Sequence, residues 1–529
     1  MRLKACFMLF RLRYLLLLPA ASLLLYKTSL AQSSPSMNQQ GASVPDTQSA
    51  GPPLFNAVTR AVVLDVVAED KGKHPFRGLT KEDFHLTEDG QPQEIASFEA
   101  IEPRRSTRPH DLSGLPHTIL LIDEMNTRFQ DLAYARYSMQ KLLSASKALD
   151  DPTALLALTN KGLMVLQDYT RDPNQLKTAL EHHRPAIPWR LGQGVEGAGE
   201  RISISFRSLH SIAIANLGSG RRNNLVWISP GFPIFIADGI SADMQKKLFD
   251  DIRLLSDELL RARMTIYTVD PRGVGMGRRS PFDSRIRTSD EAASLTRDKQ
   301  IAFSDLALTT LSNETGGHSF YGHEDVDREI ASSISEGENY YTLSYYPADH
   351  NFNGSFRKVK LTVAKPGLVA HTRDGYYALA TPAPPTDKET ATNLAYALMD
   401  PLSFASIPVH LAKVTLSASE PQGQFGIAIE AKALQWDAAA NGTVQCHLDI
   451  ASADFASDGR PVHLVTHPFS FVLRSTPEDA KRRVVDLSVK LAVDRPAHRV
   501  RILVRDRATG YMGSADVTSF PADTVPVRN

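Results

Sequence analysis

The chain has 529 residues, 42% apolar and 22% charged, with 59 basic and 59 acidic side chains and a formal net charge of zero. That length is more than one core can hold, so roughly two to four domains are expected. The charge balance supplies no long-range field toward nucleic acid or an anionic membrane, so partners must be recognised by local surfaces.

Residues 1–31 have the pattern of a secretory signal peptide. Arg2, Lys4, Arg11 and Arg13 form a basic start, 14–26 is an apolar run too short to span a membrane comfortably, and Ser29-Leu30-Ala31 offers small residues for cleavage. Cys6 precedes the apolar run, which argues against lipid attachment, and no later segment reaches the ~18 apolar residues of a second span. Removal of this segment leaves Cys446 alone, which excludes an intramolecular disulfide and cysteine-type zinc sites. Its alternating surroundings, Val444-Gln445-Cys446-His447-Leu448, point to a buried core thiol on a strand.

Residues 32–54 are rich in Ser, Gln, Gly and Pro and are expected to be a disordered leader. A small β domain is expected over 55–102, with strands at 61–67, 84–86 and 94–98 and a turn at Asp89-Gly90. An α/β domain follows over 115–347. Its strands are expected at 118–122, 154–159, 163–166, 225–228, 265–269, 319–321 and 340–345. The helices between them include one after Asp123, one started by Asp172-Pro173, 204–217, 241–264, 305–311 and 325–335. Such alternation implies a mostly parallel sheet with helices on both faces.

Residues 356–363 and 369–377 read as an antiparallel pair in a hairpin extension, 354–378. A linker is expected at 379–402, and turn-bounded strands over 403–520 suggest a β-sandwich.

The run His117 to Thr127, HTILLIDEMNT, carries the most functional information. Its apolar stretch reads as a strand buried on both faces, and Asp123 stands at the carboxyl edge, where open α/β sheets place binding sites. In order and spacing, several strings resemble a von Willebrand factor type A domain, and more narrowly the related family described from acidobacterial proteins. They are Leu64-Asp65-Val66-Val67, Gly78-Leu79-Thr80-Lys81-Glu82-Asp83-Phe84, Glu88-Asp89-Gly90-Gln91-Pro92-Gln93, Leu121-Ile122-Asp123-Glu124-Met125-Asn126-Thr127, Asn224-Leu225-Val226-Trp227-Ile228-Ser229, Thr268-Val269-Asp270-Pro271-Arg272-Gly273, Thr315-Gly316-Gly317, Tyr340-Tyr341-Thr342-Leu343 and Arg373-Asp374-Gly375-Tyr376-Tyr377. The match covers about 60–378.

The resemblance implies a Rossmann-like, von Willebrand A-type α/β fold and a protein-binding role, often through a Mg²⁺ held at a metal-ion-dependent adhesion site. Asp123 matches the first position of that site, Thr127 keeps the fifth-position hydroxyl, and Ser205 maps onto the later threonine. Met125 replaces the third-position serine, and a thioether is a poor ligand for a hard cation. The final aspartate is missing, because strand 225–228 ends in Ser229-Pro230-Gly231. The site is therefore degenerate, Mg²⁺ binding is expected to be weak, and Asp123 has an alternative role as a helix N-cap.

Other candidates are weaker. Asp270 stands at a strand end but begins an Asp-Pro turn. His182-His183 and His323-Glu324-Asp325 lack HExxH spacing and are expected to be solvated. The GSGRR segment 218–222 lacks a phosphate-loop ending and reads as a turn with a basic surface. Arg272, Arg278, Arg279, Arg285, Arg287 and Arg297 concentrate positive charge in one loop.

These features combine into an exported, non-enzymatic interaction or adhesion module, secreted or held in the periplasm or cell envelope, that recognises protein partners at the carboxyl edge of the sheet. The alternatives are a metal-assisted hydrolase using Asp123 and Asp270, or a purely structural envelope protein.

Overall fold

The structure is a computed structural model that describes residues 60–72, 74–101, 116–185, 195–230, 242–272, 308–320, 325–380, 384–416, 422–457, 459–493 and 498–518. All of them belong to one compact unit, Thr59–Asn529. The segments expected to be a signal peptide and a leader, with Cys6, lie outside the described residues.

The first four strands are β1 (Val62–Glu69), β2 (Phe84–Glu88), β3 (Gln91–Gln93) and β4 (Ile95–Ile101). Asp89 and Gly90 join β2 to β3 with φ of 48° and 81°, the paired positive values that a two-residue hairpin with a right-handed twist requires.

A six-stranded sheet follows, built from β5 (His117–Asp123), β6 (Thr153–Thr159), β7 (Gly162–Thr170), β8 (Asn223–Ile228), β9 (Met264–Val269) and β10 (Ser319–Phe320). Its order is β10-β9-β8-β5-β6-β7. All neighbours are parallel except β6 and β7, which form an antiparallel edge. Chain order therefore reverses direction between β5 and β8, which makes their carboxyl ends a topological switch point.

Helices cover both faces of this sheet: α1 (Phe129–Ala145), α2 (Pro173–His182), α3 (Val195–Asn216), α4 (Ala242–Arg261), α5 (Leu308–Thr315) and α6 (Val326–Glu338). Ile119 and Leu121 of β5 share a core with Ile204, Leu209 and Ile212 of α3 and Leu255 and Leu259 of α4. Leu120 and Ile122 point the other way, into a core with Leu132 and Met139 of α1, Leu176 and Leu180 of α2, and Val326 and Ile330 of α6. This coverage explains why every residue of β5, β6, β8 and β9 is buried. Each fully buried aliphatic side chain contributes about 1.5–3 kcal/mol. Helix α4 is shorter than the expected 241–264. It ends at Arg261, Arg263 takes a φ of 49°, and Met264 opens β9 rather than closing the helix.

The expected last strand of the α/β domain belongs elsewhere. β11 (Tyr340–Tyr345) pairs antiparallel with β1 and β4. The next strands are β12 (Phe356–Val363), β13 (Val369–His371) and β14 (Gly375–Tyr377). β12 pairs with β2 and β14, whereas β13 pairs with β1, so the expected hairpin between 356–363 and 369–377 is not formed as such. Two four-stranded sheets result, β13-β1-β11-β4 and β14-β12-β2-β3. Leu64, Val66, Leu343 and Tyr345 of one share a core with Phe84, Leu86, Val359 and Leu361 of the other. The six-stranded unit is thus inserted between two halves of an antiparallel β unit.

The amino edge of the six-stranded sheet meets that unit through buried charge. Glu336 of α6 is 8% exposed. Glu69 of β1, Arg222 and His371 face it electrostatically, His318 Nε2 lies 3.5 Å from its Oε2, and Ser332 Oγ donates to its Oε1. Burial, and then the Glu69 carboxylate, push its pKa up to about 7 from 4.5. The folded state therefore holds a proton that the unfolded chain releases, and the associated stability is lost as pH rises from 4.5 toward 7. Urea unfolding at pH 5 and pH 8 should show a fall of at most about 3 kcal/mol. Glu336→Gln should reduce it, with burial of Glu314, whose pKa is also pushed up to about 7, supplying a further part, and an unchanged slope in that variant would remove Glu336 as a source.

The expected linker contains a helix, α7 (Asp387–Met399), capped by the reciprocal Thr386–Glu389 box. Leu394 and Leu398 fix it in the core shared with α3 and α4, together with Ala451, Ala453 and Leu503 of the carboxy-terminal region. That region comprises β15 (Val409–Leu416), β16 (Gln422–Glu430), β17 (Asp437–Ala439), β18 (Thr443–Phe455), β19 (Pro461–Arg474), the short α8 (Pro477–Lys481), β20 (Val484–Ala492), β21 (Arg499–Asp506) and β22 (Met512–Val517). Sheet β15-β16-β20 shares one core with sheet β17-β18-β21-β22, whose β18 also pairs with β19. Cys446 is buried in this core, and burial pushes its thiol pKa up to about 12. At Gly513 the Ile407 carbonyl passes so near that a Cβ would lie 1.8 Å from its oxygen. Only glycine permits this approach.

Candidate site at the carboxyl edge

β5 and β8 run parallel with Ile122 opposite Ile228, which brings Asp123 and Ser229 to the same edge. Ser229 Oγ donates to Asp123 Oδ2 at 2.8 Å, and the Ser229 N–H donates to the Val269 carbonyl at 3.0 Å. The Glu124 N–H reaches the Leu158 carbonyl on the other side, also at 3.0 Å. The ends of β6, β5, β8 and β9 are thereby stitched into one rim.

Asp123 is fully buried and accepts four hydrogen bonds. Met125 N (3.1 Å) and Asn126 N (2.8 Å) donate to Oδ1, while Asn126 Nδ2 and Ser229 Oγ (both 2.8 Å) donate to Oδ2. Burial raises its pKa, and these donors oppose the rise without cancelling it. The expected N-cap role is not the one observed. α1 begins at Phe129 with Arg128 at the cap, so a four-residue turn separates Asp123 from the helix and Asp123 staples that turn instead.

The residues do not fit a divalent cation. A carboxylate offers about four acceptor positions, and all four at Asp123 are taken by protein donors. Met125 turns into the core beside β5, where a thioether belongs. Thr127 and Ser205 are buried, and among the described residues neither hydroxyl has a hydrogen-bond partner, so neither is bonded to Asp123. Ser205 also lies within α3, which starts at Val195, rather than near a helix start. Mg²⁺ favours carboxylate and water oxygens over neutral hydroxyls. Among the described residues no group of three or more His, Cys, Asp or Glu side chains is arranged to hold a metal ion.

A second pair stands beside this turn. Glu124, 1% exposed, accepts or shares a proton with His183 Nε2 at 2.6 Å. Arg136 donates to the His183 carbonyl at 3.0 Å and to the Leu180 carbonyl at 2.5 Å. His183 was expected to be solvated, yet its side chain is only 10% exposed. His182 does remain exposed. Position in the chain hides the distinction, because His183 stops α2 and folds back toward β5. Among the described residues no hydroxyl or thiol hydrogen-bonds the His183 ring.

Asp270 begins a turn as its Asp-Pro pair suggests. Arg272 N donates to its Oδ1 at 3.0 Å, and the guanidinium grips both carboxylate oxygens while also reaching the Pro230 carbonyl at 3.2 Å. Arg278, Arg279, Arg285, Arg287 and Arg297 lie outside the described residues, as do His323 and Glu324. Asp325 pairs with Arg328 at 3.0 Å.

The GSGRR segment departs from expectation. Gly218 and Gly220 do turn the chain, with φ of 76° and 70°, but Arg221 and Arg222 are 9% and 1% exposed and form no basic surface. Arg222 donates to the Tyr267 hydroxyl at 2.9 Å and lies over the Tyr340 ring. The buried phenol and ring come from β9 and β11, distant in sequence, so no local pattern announces them.

No protein-family model matches the chain, and no curated protein matches it. Among solved structures it is similar to the SpRpn10 VWA domain, at 13% identity over 41% of this chain and 94% of that one, with a TM-score of 0.21. It is also similar to the TFIIH p34 N-terminal domain, at 12% identity over 29% of this chain and 80% of that one, with a TM-score of 0.17. Neither match carries the narrower acidobacterial resemblance.

Proposed function

We propose that this chain is an exported protein-interaction module that presents the carboxyl edge of its six-stranded sheet to a protein partner, without a bound cation. The observation that carries the proposal is the switch point between β5 and β8, closed by the Asp123–Ser229 hydrogen bond and bordered by an exposed apolar lip. Phe129, the first residue of α1, is 71% exposed, and Tyr137 on the same helix is 63% exposed. Exposed Ala133 lies between them, and spacing by four places the three residues along one side of the helix. Large exposed aromatics beside a rigid rim suit recognition of another protein. Export rests on the pattern of residues 1–31, and the adhesion role on the resemblance of the Asp123 segment.

The reading is tested by affinity recovery from an envelope extract with the full chain. Phe129→Asp should lose a protein that the wild type retains. Tyr396→Asp, at a 67% exposed position on α7, should retain it. Equal recovery by all three proteins would overturn the assignment of this lip.

A further inference from the structure

We infer that a second site, at the opposite edge of the six-stranded sheet, binds a small aromatic anion. The turn before β8 and the end of α4 meet the start of β1 there and enclose a cleft of ≈ 360 Å³, within the size range of small-molecule sites. Its lining includes Arg60, Arg261 and Arg263 and the rings of Phe352, Tyr377 and Tyr511, and among the described residues it contains no carboxylate.

The three cations are held differently. Arg60 leans on Asp257 at 2.7 Å. Arg263 is braced by Asp65, by the Gly220 carbonyl at 2.6 Å and by Thr342 Oγ1 at 2.7 Å. Arg261 has no acidic partner among the described residues and is free to meet an anion. Behind the wall Arg253, paired with Asp250 at 3.6 Å, has its guanidinium 5.8 Å from the Tyr377 ring centroid. Guanidinium groups bind phosphate or carboxylate through paired N–H donors.

The rings supply the second half of the recognition. Tyr511 lies directly against Gly218, where a Cβ would be 2.5 Å from the ring, so the turn must be glycine for the ring to reach the cleft. An inorganic anion would leave these rings unused, and a neutral arene would leave Arg261 unpaired. The lining also comes from the inserted α/β unit, the antiparallel β unit and the carboxy-terminal region, so a bound ligand would join all three. This site is independent of the carboxyl-edge surface.

The probe is phenyl phosphate, titrated calorimetrically into the full chain, with inorganic phosphate and phenol as comparators. Phenyl phosphate should bind with a Kd below about 1 mM, at least about tenfold tighter than either comparator. Arg261→Glu and Tyr511→Leu should each weaken it by at least about tenfold while retaining the wild-type circular dichroism spectrum. Arg261→Gln serves if the charge reversal prevents folding. Absence of binding, or binding indifferent to the Arg261 substitution, would overturn the site. Equal affinity for inorganic phosphate would overturn its aromatic character.

Discussion

Replacing Glu88 by alanine should destabilise the folded chain by about 3 kcal/mol, because it leaves a buried arginine without its buried carboxylate partner. Glu88 and Arg357 are 4% and 2% exposed and pair at 3.1 Å across β2 and β12. The other Glu88 oxygen accepts the Tyr345 hydroxyl at 2.6 Å and the Tyr376 hydroxyl at 2.9 Å. Tyr345 comes from β11 in the facing sheet, so one carboxylate ties both sheets of the antiparallel unit. Burial raises the pKa of both phenols, and the adjacent Glu88 raises them further. Arg357 also donates to the carbonyls of Asp349 at 2.6 Å and Asn351 at 2.8 Å. Those bonds would survive the substitution, as would the ion pair with the Asp349 carboxylate at 3.2 Å, but that carboxylate is 66% exposed and compensates the buried charge only in part. Urea unfolding measures the loss. The double variant Glu88→Leu/Arg357→Met should recover part of it, since an apolar pair avoids the desolvation of both charges but still deprives the Tyr345 and Tyr376 hydroxyls of their acceptor. A loss below about 1 kcal/mol for Glu88→Ala would show that the pair does not hold the sheets together.

Asp123→Ala should cost about 2–4 kcal/mol. It removes the acceptor for two backbone N–H groups, the Asn126 amide and the Ser229 hydroxyl. Relief of a buried carboxylate offsets part of this, consistent with the upward pKa shift that burial imposes. The companion result concerns cations. Millimolar Mg²⁺ or Mn²⁺ should leave the wild-type melting temperature unchanged, because protein donors already occupy the carboxylate. A rise in melting temperature that is lost in Asp123→Ala would instead establish a cation site by mass action.

Much of the central sheet is legible in the chain. Continuous apolar runs such as Ile119 to Ile122 belong to strands covered on both faces, and they occur where helices do cover both faces. Tyr340 to Tyr345 carries a different signal. Its polar residues alternate with buried ones in the pattern of a strand open on one face. That alternation distinguishes it from the parallel strands of the six-stranded sheet. Helix α7 was also readable, since Thr386 and Glu389 have capping-box spacing and Leu394 and Leu398 lie four apart.

The candidate site divides in the same way. Asp123 at a strand's carboxyl end follows from local pattern, but its occupancy depends on Ser229, 106 residues away. His183 and Arg222 look like ordinary polar surface residues until Glu124 and Tyr267 are brought to them.

Hydrophobic period, turn chemistry and capping act over a few residues, and they place most strands of the central sheet and Asp123 at a strand's carboxyl end, while the helix Asp387–Met399 stands where a linker is expected. Which strands pair, and which charges are buried, depends on segments hundreds of residues apart. β1 pairs with β11, and Glu88 with Arg357, across the whole length of the inserted sheet in the chain. Desolvation then sets the state of each buried group, and desolvation is a property of the packed interior rather than of any stretch of sequence.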